Sequence, residues 1–359
     1  MKAFPVNPQY ALNYCTKFLA RDNVESRHAF TPEAQSTVAG TICEAWRFPI
    51  IDTYAGGSDE VNDPGIFARY NQVTFIFREA KSTPVTSVGV IGTFHNLYEA
   101  VPMKRVFFGD TPTMFWAISY VVPKRQTHRY RLVVDGKVIN DEINPQTITL
   151  PTGQVWSRFF TDECAENLVL EDWEQALLYR LVEQMAPFRT TEGQRFLDQF
   201  YTFLDYENKI SNFEHAYRFD ESVGEVGFID NLLAREEHHR LVDYKICLPL
   251  IKQVLRLRNP FEEPANISKE YYNALYDEMA TDKVAGWDTS RYGSPLFFLN
   301  LLRRHACAGS FSHPKYGGNS GGAGWAYLLD RYKDGDGGTL FDLGAAMEPP
   351  LGRNAQYAG

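Results

Sequence analysis

The sequence predicts an α+β, multidomain chain: an N-terminal arm, then an antiparallel β-sandwich, then an all-α domain ending in a glycine-rich tail. Three observations predict it. The 359 residues exceed one ordinary domain, which holds roughly 100–200. Apolar residues alternate with period two inside residues 69–160, as in a strand with one buried face. From Glu171 onward they recur at spacings of three and four, the period of a helix.

Residues 1–68 carry the weakest pattern. Thr31-Pro32-Glu33-Ala34 opens like a helix, with Thr31 as N-cap and Pro32 at the first helical position. Gly56-Gly57-Ser58-Asp59 through Asn62-Asp63-Pro64-Gly65 has the composition of a loop. The segment reads as an arm wrapping another domain or a partner. In residues 69–160, Val73, Phe75 and Phe77 alternate with Thr74, Ile76 and Arg78. Further strands are expected at residues 87–92, 114–121 and 129–134, with turns at Asp110-Thr111-Pro112, Pro123-Lys124 and Asp135-Gly136. Short strands separated by turns argue for the antiparallel sandwich.

The helical domain spans residues 165–330. Leu177, Leu178, Leu181 and Val182 share a face of a helix ending near Pro187, and Leu197, Phe200, Tyr201 and Leu204 share the next. Leu241, Tyr244, Leu248, Ile251 and Leu255 line a helix that Pro249 is expected to kink. Ser268 caps a helix carrying Tyr272, Leu275, Tyr276 and Met279, and residues 296–307 form the final stripe. Residues 331–359 read as a tail.

Composition narrows the function. Hydrophobic residues at 44% and charged residues at 23% suit a globular protein with large cores. A net charge of -9 and a pI near 5.5 oppose binding to phosphate backbones or anionic lipid, so no nucleic-acid partner is expected. No apolar run reaches the 18 or so residues that a membrane crossing needs. Five cysteines, without a C-x-x-C pair or zinc-ligand spacing, suggest thiols in a reducing compartment. Residues 1–20 show no apolar signal core and no twin arginine, so the cytoplasm is the expected location.

The most specific stretch is Gly309-Ser310-Phe311-Ser312-His313-Pro314-Lys315-Tyr316-Gly317-Gly318-Asn319, with Gly324-Trp325 following. From the residues alone it is a helix exit whose glycines permit left-handed or closely packed backbone, serving either as a structural loop or as a binding surface. A helix ending in small residues, then aromatic-Ser-x-Pro-x-Tyr-Gly-Gly-Asn and Gly-Trp, resembles the gluconate 2-dehydrogenase subunit 3 family. Gly227-Phe228-Ile229-Asp230-Asn231-Leu232-Leu233-Ala234 and residues 267–279 with Pro295-Leu296-Phe297-Phe298 resemble earlier helices of the same family.

The resemblance implies a non-catalytic helical subunit that binds a large flavoprotein of the glucose–methanol–choline oxidoreductase type acting on a sugar or polyol. FAD would sit in that partner, with no cofactor or metal held by this chain. The implied partner-binding residues are Phe311, His313, Pro314, Tyr316, Gly317, Gly318, Asn319 and Trp325, the glycines admitting a partner's backbone and the aromatics filling its pockets. Family members typically carry a twin-arginine signal; without one here, periplasmic residence would require co-export with the partner. Residues 326–338 also lack the family's usual apolar-Gly-x-Pro-Gly ending.

A second resemblance covers the strand-rich region. Val88-Gly89-Val90-Ile91-Gly92-Thr93-Phe94-His95-Asn96, Tyr130-Arg131-Leu132-Val133-Val134-Asp135-Gly136 and Asp141 to Pro145 resemble the glycogen-binding, immunoglobulin-like early-set sandwich. Such modules stack tryptophans under sugar rings. Here Leu97 stands where a tryptophan is usual, leaving Tyr98 and Trp116 as the glycan-binding candidates. A free-standing carbohydrate-binding protein is therefore the alternative function.

Catalysis by this chain alone finds little support. His313 and His305 lack an evident nucleophile–base set, and His238-His239 point about 100° apart on a helix. Asp334-Gly335-Asp336-Gly337-Gly338 lacks the closing Glu of a calcium loop. No G-x-x-x-x-G-K occurs, and no G-x-G-x-x-G opens a helix after a strand.

Overall fold

The computed structural model describes residues 2–19, 47–54, 69–80, 84–164, 166–185, 187–203, 223–333, 335, 336 and 338. The expected helix start at residues 31–34, the loop at residues 56–65 and most of the tail lie outside them. Among the described residues, two antiparallel sheets and eight α-helices make the fold α+β. The chain divides into two compact units; the described residues up to Cys164 fall in the first and those from Glu166 to Gly338 in the second.

The first unit holds both sheets. One has five strands: β1 (Ala3–Phe4), β2 (Ile50–Thr53), β3 (Tyr70–Arg78), β6 (Lys104–Phe108) and β7 (Thr111–Pro123). The other has six: β4 (Val88–Gly92), β5 (Val101–Pro102), β8 (Thr127–Val134), β9 (Lys137–Ile139), β10 (Thr147–Thr149) and β11 (Val155–Phe160). Every pairing is antiparallel.

The sheets share one apolar core. Phe75 of β3 and Tyr120 of β7 meet Tyr130 of β8, Phe159 of β11 and Phe94, with ring centroids 4.8–6.1 Å apart, a spacing at which edge-to-face pairs add to simple burial. The β8–β9 turn falls where the sequence placed it, with Asp135 at φ 47° and Gly136 at φ 80°, the signs of a two-residue hairpin turn. The expected Asp110-Thr111-Pro112 turn instead centres on Gly109-Asp110, because Thr111 and Pro112 already pair with Phe108 and Phe107.

One local expectation changes. The alternation in β3 predicts one buried face, but Thr74 and Ile76 on its other face are buried too. A helix from the N-terminal segment, α1 (Pro8–Tyr14), brings Tyr10 and Ala11 against Ile50, Ile76 and Ala117. The described residues of the supposed arm thus contribute β1, α1 and β2, pairing with β7 and β3.

The second unit is helical: α2 (Asp172–Glu183), α3 (Thr191–Phe203), α4 (Glu225–Ala234), α5 (Leu241–Arg258), α6 (Lys269–Ala280), α7 (Pro295–Phe311) and α8 (Ala323–Arg331). A capping box formed by Glu171 and Glu174 starts α2, satisfying backbone donors that the first turn leaves without helical partners. α5 runs unbroken through Pro249. α4 is buried on nearly every side and organises the unit through polar side chains. Asp230, fully buried, accepts the N–H groups of Leu168, Val169 and Leu170 at 2.7–3.1 Å, fixing the entry to α2. No described helix is long and apolar enough to cross a membrane.

Candidate functional site

The bend after α7 is hooked together from inside. Backbone N–H of Ser312 closes α7 on the Ala308 carbonyl at 2.7 Å. A short 3-10 turn follows at Pro314–Tyr316, and Gly317 reverses the chain at φ 92°. Asn319, with no exposed surface, donates to the Ser312 carbonyl (2.8 Å) and accepts from the Gly324 N–H (2.7 Å). The Trp325 indole donates to the Phe311 carbonyl at 2.7 Å. Asn231 of α4 reaches the Tyr316 carbonyl at 3.3 Å.

This hook explains two glycines. A Cβ on Gly318 would stand 2.3 Å from the Gly309 carbonyl oxygen, and one on Gly324 would stand 1.9 Å from that of Ser310. Both distances are impossible, so the bend can lie on α7 only without side chains there. The close approach these glycines permit is therefore to the chain's own helix, whereas the sequence suggested a partner's backbone.

The eight sequence-chosen residues fall into three groups. Gly317, Gly318 and Asn319 are buried; Phe311, Pro314 and Trp325 are half-buried; His313 and Tyr316 are exposed. The outer members touch one another. The His313 ring stands edge-on to Trp325 at 5.5 Å and to Tyr316 at 6.5 Å. Its Nδ1 accepts the Lys315 N–H at 3.1 Å, and the Lys315 ammonium lies 4.9 Å from the centre of the Tyr316 ring. The result is a cation-edged aromatic surface on a backbone that hydrogen bonds hold in place.

The two glycan candidates are not brought together. Tyr98 is 96% exposed in the loop between β4 and β5, its N–H bonded to Asn96 Oδ1 at 2.8 Å. Trp116 lies on β7, in the other sheet. Its indole donates to Glu79 Oε2 at 3.2 Å, and the Arg105 guanidinium, itself bonded to Glu79 at 2.6 Å, sits 4.7 Å from the ring centre. A ring covered this way is not a stacking platform on that face.

His305 has partners that the sequence did not reveal. Its Nδ1 lies 2.8 Å from the Tyr244 hydroxyl and its Nε2 3.2 Å from Glu237, which also takes the Arg304 guanidinium at 2.6 Å. The hydrogen bond from His305 holds the Glu237 carboxyl down at about 2 against the opposing effect of burial, with the Arg304 guanidinium adding to the pull. The order resembles a catalytic triad, but Tyr244 has no exposed surface and burial pushes its hydroxyl far up. The hydroxyl is thus enclosed, and the chain of bonds ties α5 to α7. Burial likewise pushes His238 down to about 4 and His239 below its ordinary value. Among the described residues, no group of three or more His, Cys, Asp or Glu is placed to hold a metal ion.

A cavity of about 190 Å³ opens beside the start of α4, and no sequence signal marked it. On its wall is Glu225, 4% exposed. Burial pushes this carboxyl up to about 7, against the pull of its own N–H and of the Ser310 hydroxyl at 3.1 Å.

No protein-family model matches the chain, and no curated protein matches it. Among solved structures it is similar to the enterobactin esterase FES from Shigella flexneri in the presence of 2,3-di-hydroxy-N-benzoyl-glycine, at 13% identity over 33% of this chain and 34% of that one, with a TM-score of 0.24. The same esterase in the presence of enterobactin gives 13% identity, 33% and 34% coverage and a TM-score of 0.25. The chain spans about a third of the esterase's length. A likeness at that TM-score carries no argument about fold or chemistry.

Proposed function

We propose that this chain is a non-catalytic accessory subunit that binds and stabilises a large FAD-dependent oxidoreductase of the glucose–methanol–choline type, acting on a sugar or polyol. The observation that carries the reading is the bend after α7, where a backbone locked by Asn319 and Trp325 presents His313, Lys315 and Tyr316 outward. A pre-ordered aromatic surface loses little conformational entropy on docking, and tyrosine and tryptophan are enriched among the residues that dominate interface energies. In this reading, residues 165–330 form the gluconate 2-dehydrogenase subunit 3-like domain, and the two sheets form an immunoglobulin-like early-set sandwich. The flavin belongs to the partner. Cytoplasmic residence fits the free thiols of Cys15, Cys247 and Cys307.

Affinity purification of the tagged chain from its native host tests the proposal. The expected result is a yellow complex containing a large FAD-bearing chain. A colourless preparation from which no flavoprotein is ever recovered contradicts it. The glucan-binding alternative now depends on Tyr98, whose ring is almost wholly exposed. It requires the isolated chain to be retained on amylose and Tyr98→Ala to abolish that retention.

A further inference from the structure

The cavity beside α4 is built from one helical unit and belongs to no part of the docking bend. Three buried apolar residues line its interior, Val182 of α2, Phe188, and Val226 of α4. Glu225 is the ionisable group in that interior. Arg189, Gln194 and Lys269 also line it but are exposed, which places them at the mouth.

The charges at the mouth are not matched. Arg189 donates one Nη1 hydrogen bond to the Gln184 carbonyl at 2.7 Å, which fixes the guanidinium. Its other nitrogens have no partner among the described residues. Lys269 forms no ion pair with a described residue, whereas Glu183, the remaining acidic group of the lining, is bridged to Arg180 at 2.7 Å. Two cations at the entrance therefore face a cavity whose inner carboxyl is pushed by burial up to about 7.

We propose that this cavity binds a small hydroxylated carboxylate, its anion held by Arg189 and Lys269 at the mouth and its hydroxyl groups by Glu225 within. Arginine and lysine together give a carboxylate both a directional fork and a point charge. Either form of the Glu225 carboxyl accepts a hydroxyl's hydrogen bond, and the protonated form also donates one. The volume accommodates several waters or a molecule the size of glycerate. A bare cation is disfavoured by the two positive groups, and an apolar ligand by Glu225.

Calorimetric titration of the full chain with D-glycerate tests the site, with glycerol as the uncharged control of the same carbon skeleton. Glycerate is expected to bind at millimolar concentration or below, at least about ten-fold more tightly than glycerol. Arg189→Gln and Lys269→Gln, both at exposed positions, should each weaken binding about ten-fold without moving Tm. Glu225→Gln, which keeps a neutral donor and acceptor, should bind like the parent. No heat with glycerate, equal binding of glycerol, or unchanged affinity in both cation variants overturns the proposal. None of these outcomes depends on a flavoprotein partner.

Discussion

Glu225 gives the most direct pH signature of the fold. Its carboxyl titrates at about 7 in the folded chain against an ordinary 4.5, because it is buried. Between those values the unfolded chain releases this proton and the folded chain keeps it. The unfolded state therefore binds fewer protons, and stability falls as pH rises from about 4.5 to about 7. The shift corresponds to about 3 kcal/mol. Glu225→Gln removes the slope, so urea denaturation at pH 5 and pH 8 should show the variant gaining on the parent by up to about 3 kcal/mol. Parallel pH profiles would show that the folded carboxyl is not perturbed. At this scale His313 and Tyr316, chosen from the sequence as docking residues, are exposed, and Trp116, chosen as a glycan candidate, has the Arg105 guanidinium over its ring. Arg105 lies directly opposite it across the β6–β7 register, and nothing in the local sequence announces that cover.

At the scale of elements, α4 and the bend depend on single interior residues. Asp230→Ala would strip three buried N–H groups of their acceptor and should cost about 3 kcal/mol or more. A urea midpoint that barely moves would mean water replaces the carboxylate there. Gly318→Ala forces the bend off the Gly309 carbonyl and should cost ~1–3 kcal/mol. It should also weaken partner binding by displacing Tyr316, so a stable variant with parental affinity would separate the bend's geometry from docking. The strongly periodic helices were legible because each shows one apolar face. α8 was not, because Gly321-Gly322-Ala323-Gly324 has poor helix propensity. It forms where Tyr327 packs on Phe188 and Phe196, a tertiary contact outweighing local preference.

For the molecule as a whole, the sequence made the order of architecture legible: strands first, then helices. The N-terminal segment escaped because its strands are two and four residues long, too short for a period to show, and their ladder partners lie far along the chain. The candidate surface was legible as a motif, yet its division into an inner hook and an outer aromatic edge was not, since that depends on how closely the bend approaches α7. If a flavoprotein docks on that edge, as proposed, the affinity of Tyr316→Ala for the co-purified large subunit reports it. Tyr316 is 44% exposed, so its truncation should leave Tm unchanged while weakening the complex by about 2 kcal/mol, roughly 30-fold. Parental affinity in that variant would contradict the claim.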